Sequence, residues 1–392
     1  MSPLTWWNAR ARRAIGAGHV TVETRSPSFF RRHAAKLIAS AVITASIIYT
    51  LQKGGLKLWP DSGSFAQLRW WTVGGYLATV MAMWYFRAIR WRFLLRPLHT
   101  YPRKRILAVS WIGFAAILLM PFRLGEFVRP FMVREKGKVS MPAATGTIVV
   151  ERVVDGFYLS IVLAVALIFV PHLEPLPATV VGLPVSVAAV RRSGFVMLTF
   201  FATVFAVLGT YYFARSWARK ITLAVFGLVS RKLGEKLAGI AENVAEGLHF
   251  FSHGRAALGF LWETSLYWFF NVTGMWLLAW GCGVAHADGS APTFGESCAL
   301  MGMLGVAVLI PGPPGLLGVF QAGLYAGMTM YFPTHMVVGP GAAFVFLLYL
   351  IQLVWTVIAA LIFLVGHQEA FKQLSHADEA TDETSTEQAA LS

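Results

Sequence analysis

Residues 143–170 read AATGTIVVERVVDGFYLSIVLAVALIFV. This is one apolar run, longer than the roughly 20 helical residues that cross a hydrocarbon core about 30 Å thick. Yet its first half carries Glu151, Arg152 and Asp155. A charge near the bilayer centre costs roughly 2.5–3.5 kcal/mol on insertion scales. Three charges inside one span therefore need partners or water. The run predicts a helical membrane protein with polar groups at membrane depth.

The rest of the chain agrees. Of its 392 residues 56% are hydrophobic and only 13% charged, and the mean hydropathy is +0.60. Soluble domains run nearer 45–50% apolar and 25% charged. The formal net charge of +14 does not point to nucleic acid, because the basic residues cluster beside apolar runs, where positive-inside orientation accounts for them. Fourteen tryptophans fit interfacial belts. Cys282 and Cys298 offer neither a metal-ligand spacing nor a disulfide framework.

Full spans are expected at about 34–51, 70–86, 143–170, 194–213, 258–281 and 342–365. The first begins too late for a cleaved signal peptide and reads as a signal anchor. Residues 1–33 form a basic, interfacial segment, 34–366 the membrane domain, and 367–392 an acidic tail expected to be disordered. Within 215–255 apolar residues recur every three or four positions, among them Leu237, Ile240 and Val244. That predicts an amphipathic helix, either at the cytoplasmic interface or packed on the protein itself. With an N-terminus in the cytoplasm, the cytoplasmic segments hold 27 Lys and Arg and the external ones 5. Both termini are then cytoplasmic.

Two further apolar runs, 106–120 and 298–310, are too short to span and are each broken by proline and glycine. They read as re-entrant hairpins entering from opposite sides. The breaks share a pattern: Pro121-Phe122-Arg123-Leu124-Gly125-Glu126-Phe127 and Pro314-Gly315-Leu316-Leu317-Gly318-Val319-Phe320 both fit P-x-x-L-G-x-F. Oppositely directed hairpins with a common motif predict an inverted repeat, a frequent plan in secondary transporters. Irregular backbone at membrane depth is tolerated where it is buried or lines a wet cavity.

The polar candidates gather at these places. Arg123, Glu126 and Arg129 are spaced i, i+3, i+6 and would share a helix face; Glu151 and Asp155 are four apart, with Arg152 beside them and Tyr158 one turn on. One reading is a set of buried salt bridges fixing the first hairpin to the third span. The other is a path for a lipid headgroup, with arginine forks on its phosphate and carboxylates on an amine or hydroxyl. Asn271 reads first as helix–helix glue, Glu263 as an interfacial residue, and His286, Asp288 and Glu296 as solvated loop residues. No metal or other cofactor is expected, and no GxxxxGK[ST] phosphate loop is present for ATP coupling.

Through R-x-G-E (Arg123, Gly125, Glu126), E-R-x-x-D (Glu151, Arg152, Asp155) and P-G-x-x-G (Pro314, Gly315, Gly318), the chain resembles the flippase-like transmembrane family related to the membrane domain of lysylphosphatidylglycerol synthases. The likeness extends over about residues 35–365. It departs at Leu316, where the family commonly has a second glycine, and at Gln321, where it has a glutamate. Gln321 can still hydrogen-bond but carries no charge.

The resemblance implies movement of a polar lipid across the bilayer, with these motif residues, Arg129 and Gln321 as the substrate-binding set. In that family lysyl-lipid synthesis belongs to a separate soluble domain. The tail after Val365 is too short to fold alone, so a transporter is expected rather than an aminoacyl transferase. The expected partners are a membrane phospholipid, a second copy or lipid-biosynthesis enzymes. The expected location is a bacterial cytoplasmic membrane. The competing readings are a scaffold for lipid or lipid-linked glycan synthesis and a membrane-embedded transferase.

Overall fold

A computed structural model of the chain describes Ala45, Tyr49 and residues 58–120, 125–134, 139–180, 186–228, 230–246, 254–309 and 314–366. Apart from Ala45 and Tyr49, the basic N-terminal segment and the first expected span lie outside the described residues, as do the acidic tail and Arg123. In chain order the helices are α1 (Trp70–Ile89), α2 (Trp91–Leu95), α3 (Arg103–Leu119), α4 (Val128–Val133), α5 (Met141–Phe169), α6 (Val187–Phe213) and α7 (Arg215–Gly227). There follow α8 (Arg231–Glu246), α9 (Gly254–Gly281), α10 (Phe294–Val308), α11 (Val319–Met328), α12 (Thr334–Val338) and α13 (Pro340–Gly366). Among the described residues there is no strand; Thr179 and Ser186 form an isolated bridge. The protein is an all-α polytopic membrane protein.

Among the described residues three stretches combine the length and hydropathy of a membrane span: α5, α6, and Thr334–Phe363 through α12 and α13. The expected spans at 70–86 and 258–281 are also helical, as α1 and α9. With 20 and 28 residues they reach about 30 and 42 Å. Their many Trp, Tyr and polar residues make them less hydropathic than the other three. They pack against each other along much of their length. Glycines permit that approach: a Cβ on Gly281 would lie 1.9 Å from the Thr72 hydroxyl, and one on Gly274 2.3 Å from that of Thr79. Small residues play this part in membranes, where apolar burial alone does not drive helices together.

Local signals set the helix starts. Ser140 caps α5 by accepting the Ala143 N–H at 3.4 Å, with a proline in the first turn. Thr293 and Glu296 close a capping box at the start of α10: the Thr293 N–H donates to Glu296 at 2.7 Å and the Glu296 N–H to Thr293 at 3.2 Å. The cysteines Cys282 and Cys298 are both free thiols.

Each broken run folds back on itself. α4 packs on α3 after the first break, and α11 on α10 after the second. The two matched glycines serve different needs. A Cβ on Gly125 would lie 2.1 Å from the Ala116 carbonyl carbon, so the returning chain touches the α3 backbone directly. Gly318 instead has φ +87°, and Gly315 and Leu316 also have positive φ, +69° and +56°. The second break thus turns through left-handed backbone, which glycine adopts freely and leucine does not. Leu316 is where the resembled family has a glycine.

The amphipathic stretch forms two helices, not one. α8 lies against α7 and also against α5 and α6. It therefore packs on the protein's own helices. Glu242 of α8 accepts from Arg219 at 3.0 and 3.1 Å and from Arg215 at 3.3 Å.

Candidate functional site

The i, i+4 spacing puts Glu151 and Asp155 on one face of α5, about 15 and 21 Å from the start of that 29-residue helix at a rise of 1.5 Å per residue. Both lie in the middle part of a helix that is a candidate membrane span. Arg90, at the junction of α1 and α2, faces both. Its Nη1 donates to Asp155 Oδ1 at 2.7 Å and its Nη2 to Asp155 Oδ2 at 2.6 Å. Nη2 also reaches Glu151 Oε1 at 3.1 Å, and Nη1 the Thr264 hydroxyl on α9 at 3.0 Å. Arg90 and Glu151 are fully buried, and Asp155 nearly so. Paired parallel bonds of this kind are the strongest an arginine makes to a carboxylate.

Arg129 of α4 approaches the other Glu151 oxygen at 3.1 Å. Its guanidinium lies over the Trp91 ring, 4.2 Å from the centroid. Gly113 of α3 makes room, since a Cβ there would be 2.2 Å from Arg129 Cγ. Arg152 stands 3.6 Å from Glu151, 3.9 Å from Asp155 and 4.0 Å from Glu126, with its side chain a quarter exposed. Next to the cluster Arg92 and Glu263 form a separate pair at 2.6 Å.

Arg87, one turn before Arg90 on α1, differs from the others. Its guanidinium lies over the Trp84 and Phe114 rings, 4.7 Å from each centroid, and 5.7 Å from that of Tyr267. Among the described residues no carboxylate lies within ion-pair distance of it.

Charged residues and both breaks meet at one cavity of about 530 Å³. Arg87, Glu126, Arg152 and Asp155 line it together with the apolar Leu159, Met301 and Phe320. Gly315 and Leu316 bring the second break to the same wall, and Glu126 and Phe127 bring the first. Of the other expected site residues, Arg129 and Glu151 are buried behind the wall, and Gly125 and Gly318 shape the breaks. Pro314 opens the 3-10 turn Pro314–Leu316. Gln321 accepts the Gly318 N–H at 2.7 Å and so caps its own helix, α11, away from the cavity.

One sequence expectation changes. Glu126, in the 3-10 turn 125–127, lines the cavity, and Arg129, in α4, is fully buried. Arg87, Arg90 and Arg129, counted among cytoplasmic positive charges, belong to the intramembrane cluster. With them it holds four arginines (Arg87, Arg90, Arg129, Arg152) against three carboxylates (Glu126, Glu151, Asp155). The equal numbers expected from sequence become a cationic surplus among the described residues.

Sequence reasoning also missed a polar set on α13. Tyr349, Gln352 and Thr356 line the cavity, and the Tyr349 hydroxyl donates to the Gly315 carbonyl at 3.0 Å. Asn271 lines it as well, with its amide 3.1 Å from the Met83 sulfur. Only the spacing 349, 352, 356 along one helix face hinted at the α13 set. Among the described residues no group of three His, Cys, Asp or Glu side chains comes together as a metal site.

A helical polytopic membrane fold around a cavity lined by charged and apolar side chains defines the class of protein. Within that class the chain belongs to the family of the lysylphosphatidylglycerol synthase TM region, whose profile matches residues 37–360. The family links it to lipid-related processes. Comparisons with curated proteins and with solved structures gave no match.

Proposed function

We propose that this protein moves a polar, phosphate-containing lipid between leaflets, carrying the headgroup along the charged cavity. The observation that carries the reading is where the cavity is open. Its three most exposed lining residues are Phe127 (53%), Val149 (36%) and Leu309 (48%), all apolar. A mouth facing water would be rimmed with polar side chains; this rim matches acyl chains. Just inside it stand Glu126, next to Phe127, and Arg152, one turn from Val149.

The volume supports the same reading. A cavity of about 530 Å³ is within the range of small-molecule pockets, roughly 300–1,000 Å³. It accommodates a headgroup and part of a chain, while the remainder of a two-chain lipid extends through the rim into the bilayer. We further propose that the protein works in a bacterial cytoplasmic membrane with both termini inside, and that it acts as a transporter rather than an enzyme. Its partners would be the lipid, a second copy of the chain or lipid-biosynthesis enzymes.

The test is leaflet exchange in liposomes. Wild-type protein should accelerate exchange of a labelled phospholipid, and Arg152→Gln should slow it while remaining folded. A folded protein with no exchange for any lipid tried would favour the scaffold reading. Turnover of a donor substrate would favour a transferase.

A further inference from the structure

We infer that Arg87, Trp84 and Trp268 form an oxyanion site for a phosphoester group within the cavity. This deepens the transport reading and rests on it for the lipid, though not for the anion. All three residues line the cavity. All three also hold donors without acceptors among the described residues: Arg87 Nε, Trp84 Nε1 and Trp268 Nε1 are buried and make no hydrogen bond there. Both tryptophans are more than nine-tenths buried, at 7% exposure each. Buried donors in folded proteins are nearly always paired. Arg152 Nε and Nη2 in the same lining also lack hydrogen bonds but stand within 4.0 Å of carboxylates; the donors of Arg87, Trp84 and Trp268 have no such neighbour among the described residues, and call for a ligand rich in acceptor oxygens.

The charges agree. Arg90 hydrogen-bonds to Asp155 and Glu151, Arg129 is ion-paired with Glu151, and Arg152 stands beside Glu126. Among the described residues Arg87 has only aromatic faces beside it. The rings of Trp84 and Phe114 hold its guanidinium in place, and a guanidinium so held presents its fork to an anion with little further loss of freedom. The indole of Trp268 is fixed by Tyr267, with centroids 4.3 Å apart, and by Tyr158 at 6.4 Å. A phosphate has oxygens enough for the fork and both indoles.

The test uses the purified full chain, stripped of lipid in phosphate-free detergent buffer. Four probes are titrated by native mass spectrometry and tryptophan fluorescence: dioleoyl phosphatidic acid, dioleoylglycerol, glycerol 3-phosphate and inorganic phosphate. Wild type should bind phosphatidic acid at least tenfold more tightly than dioleoylglycerol. Arg87→Gln should abolish that preference, Arg87→Lys restore part of it, and Trp268→Phe, which removes only the N–H, weaken it a few-fold. Without ligand, Arg87→Gln should unfold at the wild-type temperature or above, since it removes a cation that no carboxylate offsets. An unchanged preference in Arg87→Gln overturns the inference; should that variant fail to fold, an unchanged preference in Trp268→Phe does so. Inorganic phosphate binding as tightly as phosphatidic acid supports the anion site and counts against a lipid ligand. Leaflet exchange that persists in Arg87→Gln, with binding preference unaltered, leaves transport standing and removes only this assignment.

Discussion

Arg90 grips Asp155 through two parallel hydrogen bonds, 2.7 and 2.6 Å, in a place where Arg90 is fully buried and Asp155 nearly so. The pair joins the α1–α2 junction to α5, and Glu151 joins the same guanidinium from one turn earlier. Removing one partner of such a set leaves charge buried and unmatched, at a cost of about 3–5 kcal/mol. Arg90→Met should therefore lower stability strongly, read as thermal unfolding in detergent. Arg90→Lys should rescue little, because one ammonium cannot supply two parallel bonds. Arg90→Met combined with Asp155→Asn should recover part of the loss. An unfolding temperature unmoved by Arg90→Met would contradict this account.

The matched glycines should fail for different reasons. At Gly125 a methyl group would lie 2.1 Å from the Ala116 carbonyl carbon and 2.2 Å from the Ile117 nitrogen. Backbone cannot yield as a side chain does, so Gly125→Ala should cost about 1–3 kcal/mol, the usual range for overpacking. Gly318→Ala meets a backbone penalty at φ +87° and ψ −49° of about 1–3 kcal/mol. Thermal unfolding at the wild-type temperature in either variant would contradict the reason given for that position.

Much of this was legible in the chain. Apolar length gave the helices because lipid forces backbone groups to be satisfied within each segment, and the i, i+4 spacing of Glu151 and Asp155 placed both on one face. Their partner was not legible. Arg90 is 61 and 65 residues from them and follows an apolar span as positive-inside arginines do. Arg87 was hidden in the same way. Gln321 showed a polar side chain near the second break, but no pattern distinguished a ligand from a cap. The separate breaks were visible from proline and glycine. That they line one cavity depends on how distant helices pack, which local sequence does not encode.

The α7–α8 contact should respond to acid. Burial alone would raise the Glu242 pKa, but hydrogen bonds from Arg219 and Arg215 outweigh it and hold the carboxyl below its usual value, near 4.3 for a free glutamate. A depressed carboxyl stabilises the fold above the unfolded-state value, and this contribution fades as pH falls through the lower folded value. Protection from hydrogen exchange in 215–242, corrected for the intrinsic rate at each pH, should therefore be level near neutral pH and fall only below pH ~4. Glu242→Gln should exchange faster at neutral pH and lose the acid step. A step that survives in Glu242→Gln would assign it to another group.

The rim of the cavity offers the most direct separation of stability from transport. Val149 and Leu309 are exposed and line the cavity at its apolar mouth. Exposed substitutions away from special features usually change stability by no more than about 0.5 kcal/mol, and tryptophan is at home among lipids near an interface. Val149→Trp and Leu309→Trp should narrow the opening while leaving thermal unfolding within a degree or two of wild type. Leaflet exchange should nevertheless fall several-fold in each and further in the double variant. Val149→Ala and Leu309→Ala widen the same opening and should exchange at least as fast as wild type. The four variants thus reverse the sign of the effect with the size of the side chain. Tryptophan variants with wild-type exchange would place the lipid's path elsewhere, even with the charged cluster intact.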